Sequence, residues 1–103
     1  MAKLPVEYHF EARLEVDAAF DWYRERSPSA AERFRAKLEV AQTAIQNSPD
    51  SWAEYLFGTR CYRLGRYPFL VVYRVTDIRI QIIAVAHGSR KPAYWIDRLH
   101  GDL

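Results

Sequence analysis

The sequence predicts a two-layer α+β domain in which a helical hairpin covers one face of an antiparallel sheet. The chain has 103 residues, a length that favours one hydrophobic core and one domain spanning residues 1–103. Apolar residues recur every three or four positions before residue 48, as in amphipathic helices, and form strand-like runs beyond residue 60. We therefore expect the order β-α-α-β-β-β, followed by a short C-terminal tail or helix.

A short strand is predicted near the N-terminus, where Val6, Tyr8 and Phe10 alternate with polar neighbours. Beyond this strand the apolar side chains recur at helical spacing, so the first helix is predicted over residues 12–26. The helix is expected to end there because the next residue, Ser27, precedes a proline and is disfavoured in the α conformation.

The second helix is predicted to run to Asn47 and has two alternative starts. Ser29 and Glu32 have the spacing of a capping box, whereas Ser27, followed by a proline, offers a start two residues earlier. Because so few residues separate the two helices, they must form an antiparallel hairpin. Residues 48–59 are predicted to form a loop whose large apolar side chains pack on the rest of the protein. These side chains are Trp52, Tyr55, Leu56 and Phe57.

Three strands are predicted in the second half of the chain, over residues 60–64, 69–75 and 78–86. Pairing the last two strands across Thr76 and Asp77, through a two-residue turn or a looser turn of the same register, places four apolar pairs on the face toward the helices. These pairs are Val75 with Ile78, Tyr73 with Ile80, Val71 with Ile82, and Phe69 with Ala84. The opposite face is predicted to lack a cover. Its polar members are Arg74, Arg79, Gln81 and His87.

Charge is divided unevenly along the chain. The formal net charge is only +2, but residues 1–59 carry seven Lys or Arg against ten Asp or Glu, and residues 60–98 carry eight against two. This asymmetry indicates a basic working surface built by the second half of the chain. Such a surface favours nucleic acid or an acidic protein as its partner.

Composition excludes several classes of protein. Cys61 is the only cysteine, so the chain has no internal disulfide or cysteine zinc cluster, and a lone thiol suits the cytoplasm. The longest apolar runs are far shorter than the roughly 20 residues that span a bilayer, and the N-terminus lacks a signal-peptide core. No His, Asp and Glu residues have metal-ligand spacing on one element. We therefore expect a cytoplasmic protein without metal, cofactor or membrane contact.

The segment that follows the last predicted strand concentrates cations and aromatic residues. Arg90, Lys91 and Arg98 are its candidates for binding phosphate. Tyr94 or Trp95 would then stack on a nucleic-acid base. The alternative is a loop whose aromatic residues cover the end of the sheet and whose cations are solvated.

Three further residues are candidates for the same surface. His87, at the end of the last strand, is either a general acid or base or a structural histidine bonded to backbone. Arg63 and Arg66 bracket the turn before the central strand. They either join the basic face or remain exposed charges at an edge.

Two segments of the chain match a known pattern. The first runs from Arg63 to Tyr73, and the second runs from Ala84 to Trp95, where H-x-x-R-x-P-x-Y-W follows an apolar strand. Together with the element order and the chain length, they resemble the RelE/ParE superfamily of toxins from bacterial type II toxin–antitoxin modules. The resemblance covers nearly the whole chain. It implies a growth-inhibiting toxin, associated with plasmid stabilisation, that a cognate antitoxin neutralises.

The superfamily implies two different activities. RelE-type members cleave mRNA on the ribosome with basic side chains that hold the scissile phosphate, whereas ParE-type members are described as inhibitors of DNA gyrase. In this sequence Leu70 and Gly88 stand where the nuclease branch is expected to have arginines. Losing such donors is costly for phosphate chemistry. The resemblance therefore favours a ParE-like toxin that binds and poisons DNA gyrase over an enzyme.

The alternative hypothesis is a ribosome-dependent mRNA endoribonuclease, with the ribosome and mRNA as partners. Its catalytic candidates are His87, Tyr94 and Arg63, with Arg66 and Arg90 on the phosphate. A third hypothesis is a degenerate toxin that retains only antitoxin binding. In every case we expect an acidic amphipathic antitoxin segment to cover part of the basic half. The residues expected to contact this partner or a phosphate are Arg66, Arg74, Arg79, Arg90, Lys91, Trp95 and Arg98.

Overall fold

The computed structural model describes residues 3–100 and has two helices packed on a five-stranded sheet. The elements are β1 (Val6–Tyr8), α1 (Phe10–Arg26), α2 (Pro28–Asn47), β2 (Ala53–Glu54), β3 (Arg60–Arg63), β4 (Phe69–Val75), β5 (Ile80–His87) and a C-terminal 3-10 helix (Ile96–Leu99). The strand order is β1-β5-β4-β3-β2, with β1 parallel to β5 and every other pair antiparallel. The predicted α+β order is confirmed, and β2 is an additional strand inside the predicted loop.

Both helices begin at residues that cap them. The side-chain Nδ1 of His9 accepts a hydrogen bond from the backbone N–H of Glu11 at 3.0 Å, so α1 begins at Phe10, earlier than predicted. At α2, the hydroxyl of Ser27 accepts a hydrogen bond from the N–H of Ala30 at 3.0 Å. The earlier of the two predicted starts is therefore the one that α2 uses, with a proline in its first turn.

One face of the sheet packs against the helical hairpin. Phe34 of α2 is fully buried there, and its ring lies 5.2 Å from that of Tyr23 and 5.7 Å from that of Phe69. The buried residues of this helix-side core are Ala12, Ala19, Phe34, Leu38, Ala41, Ile45, Leu64, Val71, Tyr73, Ile80, Ile82 and Val85. The apolar residues that recur at helical spacing along α2 face this core.

The connection between β4 and β5 is longer than predicted. It has four residues, and the backbone N–H of Thr76 donates to the carbonyl of Arg79 across it at 2.8 Å. Tyr73 consequently pairs with Ile82, and the predicted pairing with Ile80 is wrong by two residues. Because two residues are one full period of a strand, these side chains still face the helices.

A β-bulge changes the faces further along the same pair of strands. Val72 pairs with Ala84, so Ile83 is an extra residue between this pair and the pair that Tyr73 forms. The predicted position of Ala84 in the helix-side core is therefore wrong, and Val85 lies there instead. The predicted position of His87 on the opposite face is wrong for the same reason, because His87 pairs with Phe69 on the helix side. The bulge was invisible in the sequence because β5 carries apolar residues on both faces.

The opposite face of the sheet is covered, so the prediction of an open basic face is wrong. Trp95, only 2% exposed, packs there against Val72 and Ile83 of the sheet. It belongs to the C-terminal segment, which we define as residues 94–99. The bulge gives this face an apolar surface, and the tryptophan removes that surface from water.

Neither helix within residues 3–100 is long and apolar enough to cross a membrane. The same residues contain no group of three His, Cys, Asp or Glu side chains that could hold a metal ion. Cys61 is a free thiol in β3 and is partly buried.

Candidate functional site

Four of the predicted basic residues line one groove at the end of the sheet. Arg63 comes from the end of β3, His87 from the end of β5, and Arg90 and Lys91 from the loop that follows. The groove has a volume of about 450 Å³, and no carboxylate lines it in the part of the chain that the structure describes. We call this groove the basic trough. It brings together side chains from three different parts of the second half.

Backbone contacts position the walls of the basic trough. In the turn after β3, Gly65 has a φ of 59°, a left-handed conformation that favours glycine. The N–H of Leu64 donates to the carbonyl of Phe69 at 3.1 Å and closes this turn. The N–H of Gly88 donates to the carbonyl of Pro68 at 2.8 Å, which holds the loop after β5 against the same turn. These two backbone hydrogen bonds therefore hold the end of β3 and the loop after β5, which carry the basic residues, close to the same turn.

His87 is oriented by its neighbours. Its Nδ1 accepts a hydrogen bond from the backbone N–H of Ser89 at 3.0 Å and lies 2.8 Å from the hydroxyl of the same serine. Its ring packs at right angles to Phe69, with 5.2 Å between the ring centroids. Because Nδ1 is an acceptor, Nε2 carries the proton of the neutral ring. The side chain of His87 is exposed to solvent, but these contacts hold its ring in one orientation.

Tyr94 and Arg98 meet at a carboxylate that the sequence analysis did not single out. Glu15 of α1 accepts a hydrogen bond from the hydroxyl of Tyr94 at 2.6 Å, and from Nη1 and Nη2 of Arg98 at 3.1 and 2.9 Å. It also accepts one from the backbone N–H of Val85 at 2.9 Å. The side chains of Glu15 and Arg98 are 15% and 10% exposed. This Glu15 cluster holds the C-terminal segment against α1 and β5.

The contacts with Glu15 also affect the protonation of Tyr94 and Arg98. Burial raises the pKa of Tyr94, and the hydrogen bond to Glu15 raises that pKa further. Burial lowers the pKa of Arg98, but its hydrogen bond and attraction to Glu15 outweigh burial, so the net shift is upward. Tyr94 is therefore a neutral donor at physiological pH and not a ready proton acceptor, while Arg98 stays charged.

Arg74 and Arg79 make internal contacts on the face that was predicted to be open. Arg74 donates to the side chain of Gln81 at 2.8 Å and to the carbonyl of Leu99 at 3.1 Å. Arg79 pairs with Glu7 of β1 at 3.3 Å. The structure therefore places both arginines in contacts between neighbouring elements and not in the basic trough.

Three other predicted residues also differ from their expected placement. Arg66 is exposed on the turn after β3, where it lines a separate groove beside Arg33 of α2. Arg98 belongs to the Glu15 cluster, so its charge is already paired. Trp95 borders the basic trough, but its ring is packed in the core and presents no open face for stacking.

An apolar cleft that was not predicted from the sequence adjoins the basic trough. It has a volume of about 350 Å³ and is lined by Ala18 and Trp22 of α1 and by Phe69 of β4. His87 and Arg90 line both the apolar cleft and the basic trough. The sequence does contain a pattern that indicates an apolar surface here, because α1 carries a second row of apolar residues at four-residue spacing. The exposed residues of this row are Phe10, Leu14, Ala18 and Trp22.

The family of this chain can be identified by comparing its sequence and structure with those of known proteins. A family model described as "ParE toxin of type II toxin-antitoxin system, parDE" matches residues 6–92. Toxin ParE2 of Mycobacterium tuberculosis, in strains CDC 1551 / Oshkosh and ATCC 25618 / H37Rv, is 29% identical over 75 residues, which are 72% of this chain and 71% of the relative. A chain in the structure of the chromosomal ParDE TA system from P. aeruginosa matches with a TM-score of 0.71 at 23% identity. That match covers 82% of this chain and 95% of the other.

The structural match supports the same fold, and the family model spans most of the chain. The family model includes the whole segment from Arg63 to Tyr73 and most of the segment from Ala84 to Trp95, the two segments that carry the resemblance. The ParE branch, which Leu70 and Gly88 favoured, is confirmed. The chain therefore belongs to the ParE toxin family of type II toxin–antitoxin systems.

Proposed function

We propose that this ParE-family protein halts growth by binding and poisoning DNA gyrase in the cytoplasm, and that a cognate antitoxin neutralises it. The observation that carries the proposal is the composition of the basic trough. Leu70 and Gly88 both line it, at the positions where the nuclease branch is expected to have arginines. Each missing donor to a transition-state phosphate costs on the order of 3 kcal/mol. The trough therefore suits binding better than cleavage.

The state of Tyr94 supports the same proposal. Its hydroxyl donates to Glu15, and its raised pKa keeps that hydroxyl protonated. The guanidinium carbon of Arg90 lies 3.8 Å from the centroid of the Tyr94 ring and covers one of its faces. Both of these contacts engage the tyrosine within the protein, which leaves it poorly suited to proton transfer or base stacking.

An acidic amphipathic antitoxin segment fits the basic trough and the apolar cleft together. Its apolar side chains would enter the cleft beside Trp22, and its carboxylates would pair with Arg63, Arg90 and Lys91. The two cavities share His87 and Arg90, so one continuous segment reaches both. Neutralisation would then follow from burying a surface that is both apolar and cationic.

A supercoiling assay with purified gyrase tests the proposed target. We expect the toxin to inhibit supercoiling of a relaxed plasmid as its concentration rises, and we expect prior addition of antitoxin to restore supercoiling. Unchanged supercoiling at a large excess of folded toxin would contradict the proposal.

Mapping of mRNA 5′ ends after induction separates binding from cleavage. We expect growth arrest without new cleavage sites in the ribosomal A site. Cleavage that is abolished by His87→Ala or Tyr94→Phe would instead support the endoribonuclease hypothesis. Normal growth after induction without antitoxin would support the degenerate toxin.

A further inference from the structure

The hairpin between β2 and β3 carries an exposed apolar tip that belongs neither to the core nor to the lining of the basic trough. Phe57 lies at the turn with Leu56 and Gly58, and its side chain is 62% exposed. Phe57 and Gly58 both have positive φ angles, 58° and 79°. Turns of this kind favour Asn, Asp and Gly, and a bulky side chain in the left-handed region is an outlier. We call residues Leu56–Gly58 the hairpin tip.

The hairpin tip is held in a defined conformation. The backbone N–H and the hydroxyl of Thr59 both donate to the carbonyl of Leu56, at 3.2 and 2.6 Å. Thr59 is itself buried, and its carbonyl accepts a hydrogen bond from the N–H of Tyr55 at 2.8 Å. Phe57 thus occupies a strained conformation without filling the core. Strain of this kind persists where the surroundings impose it, and it clusters at functional sites.

The hairpin that carries the tip also forms part of the basic trough. Tyr55 lines the trough together with Arg63, and its ring centroid lies 6.1 Å from that of the buried Trp95. The same hairpin therefore carries an exposed apolar tip and, through Tyr55, one wall of the cationic trough. The complementary surface on a partner is an apolar pocket flanked by acidic groups.

We propose that the hairpin tip anchors the toxin on a folded target protein, with Phe57 inserted into an apolar pocket that acidic groups flank. Shape favours a folded partner over the antitoxin segment. A projecting side chain needs a concave receptor, whereas a segment lies in a concave surface such as the apolar cleft. Large aromatic anchors seated in pockets dominate the energetics of protein interfaces. The inference rests on the proposed function in taking gyrase as that target.

Phe57→Gly is the most informative variant, because it removes the side chain and relieves the left-handed strain together. We expect a melting temperature equal to or above that of the wild type. The concentration that inhibits gyrase by half should rise at least about 10-fold, as for the loss of an interface anchor. Antitoxin affinity should stay within about 2-fold, because the tip lies outside the apolar cleft.

Two further variants serve as controls. Phe57→Tyr retains the ring and should inhibit gyrase within about 2-fold of the wild type. Phe10→Ala removes an exposed phenylalanine from α1 instead, and it should also leave gyrase inhibition within about 2-fold. A loss of inhibition in Phe10→Ala equal to that in Phe57→Gly would overturn the inference, because any exposed aromatic would then give the same effect.

Growth arrest after induction distinguishes this inference from the proposed target. A folded Phe57→Gly protein that inhibits gyrase and arrests growth like the wild type would overturn the inference. So would an equal loss of antitoxin affinity, since the tip would then belong to the antitoxin interface. If the wild type arrests growth without inhibiting gyrase, the gyrase proposal fails, and loss of arrest in Phe57→Gly still supports the tip as the anchor. A wild type that does neither contradicts both.

Discussion

The two faces of the sheet are covered by different kinds of structure. On one face, two long helices contribute apolar side chains at regular intervals. On the other, a short C-terminal segment contributes the buried ring of Trp95 and the contacts of Tyr94 and Arg98 with Glu15. The first cover depends on buried apolar area spread over two helices, whereas the second combines one buried aromatic ring with a few specific polar contacts. The second cover is also the one that borders the basic trough.

The largest expected effect is in the helix-side core. Phe34→Ala should lower the free energy of unfolding by about 4 kcal/mol, because the cavity left at a fully buried site cannot collapse completely. Urea denaturation followed by circular dichroism measures this change. Val40→Ala, on the exposed side of the same helix, should change the free energy of unfolding by less than about 0.5 kcal/mol. Equal effects of the two substitutions would contradict the assignment of this core.

Removing the carboxylate of the Glu15 cluster should have the next largest effect. Glu15→Ala leaves the buried Arg98 without its main partner and should cost about 3 kcal/mol of unfolding free energy. Glu25→Ala, at an exposed acidic position of the same helix, should cost less than about 0.5 kcal/mol.

A double-mutant cycle sharpens the same test. The double variant Glu15→Gln/Arg98→Met should lose at least about 1 kcal/mol less unfolding free energy than the sum of the losses in the two single variants. The reason is that each single substitution leaves the other side chain buried without its partner. Additive costs would show that the C-terminal segment is held mainly by Trp95.

The helix-side cover was predictable from sequence because its signal is local. Apolar residues of α2 recur every three or four positions, so the periodicity of the sequence alone predicts which face of this helix packs on the sheet. The second cover depends on Glu15 and Arg98, which are 83 positions apart, and Glu15 is one of several acids on α1. Nothing in the sequence distinguished this buried carboxylate from its solvated neighbours.

In the candidate site, too, some features were predictable from the sequence and others were not. Arg63, His87, Arg90 and Lys91 were predicted from composition and do line one groove, because the strand ends that carry them meet. The expectation that Phe57 packs on the protein is wrong, because the turn gives it a positive φ and leaves its side chain 62% exposed. This turn lies in a segment that the sequence predicts as a loop, so its conformation was not predictable.

Alkaline pH should reduce stability through Tyr73, which is buried in the helix-side core. Burial raises the pKa of Tyr73 to about 12, and the hydroxyl donates to the carbonyl of Pro49 at 2.6 Å. Because the folded pKa exceeds the unfolded value of about 10, this stabilisation is complete below pH 10 and is lost as the pH rises toward 12. Tyr73→Phe should therefore flatten the fall in unfolding free energy over that window. Parallel profiles for the variant and the wild type would contradict the expectation.

The smallest expected effect on stability is in the basic trough. Within the described residues, Arg63 and Lys91 form no ion pair. Their double substitution to Gln should change the free energy of unfolding by less than about 0.5 kcal/mol, while weakening antitoxin binding about 10-fold, most strongly at low salt. The double substitution of Arg33 and Lys37 to Gln removes the same charge from α2. If titration calorimetry gives equal losses of affinity for both double variants, the trough is not the antitoxin site.

We propose that this toxin acts by binding gyrase and not by chemistry of its own. The most direct test of this mechanism is to trap cleaved DNA. Gyrase, plasmid, ATP and toxin are incubated together, and the reaction is stopped with detergent and protease. We predict linear plasmid that increases with toxin concentration and disappears when antitoxin is added first. Plasmid that stays uncut and is supercoiled normally at a large toxin excess would contradict the claim.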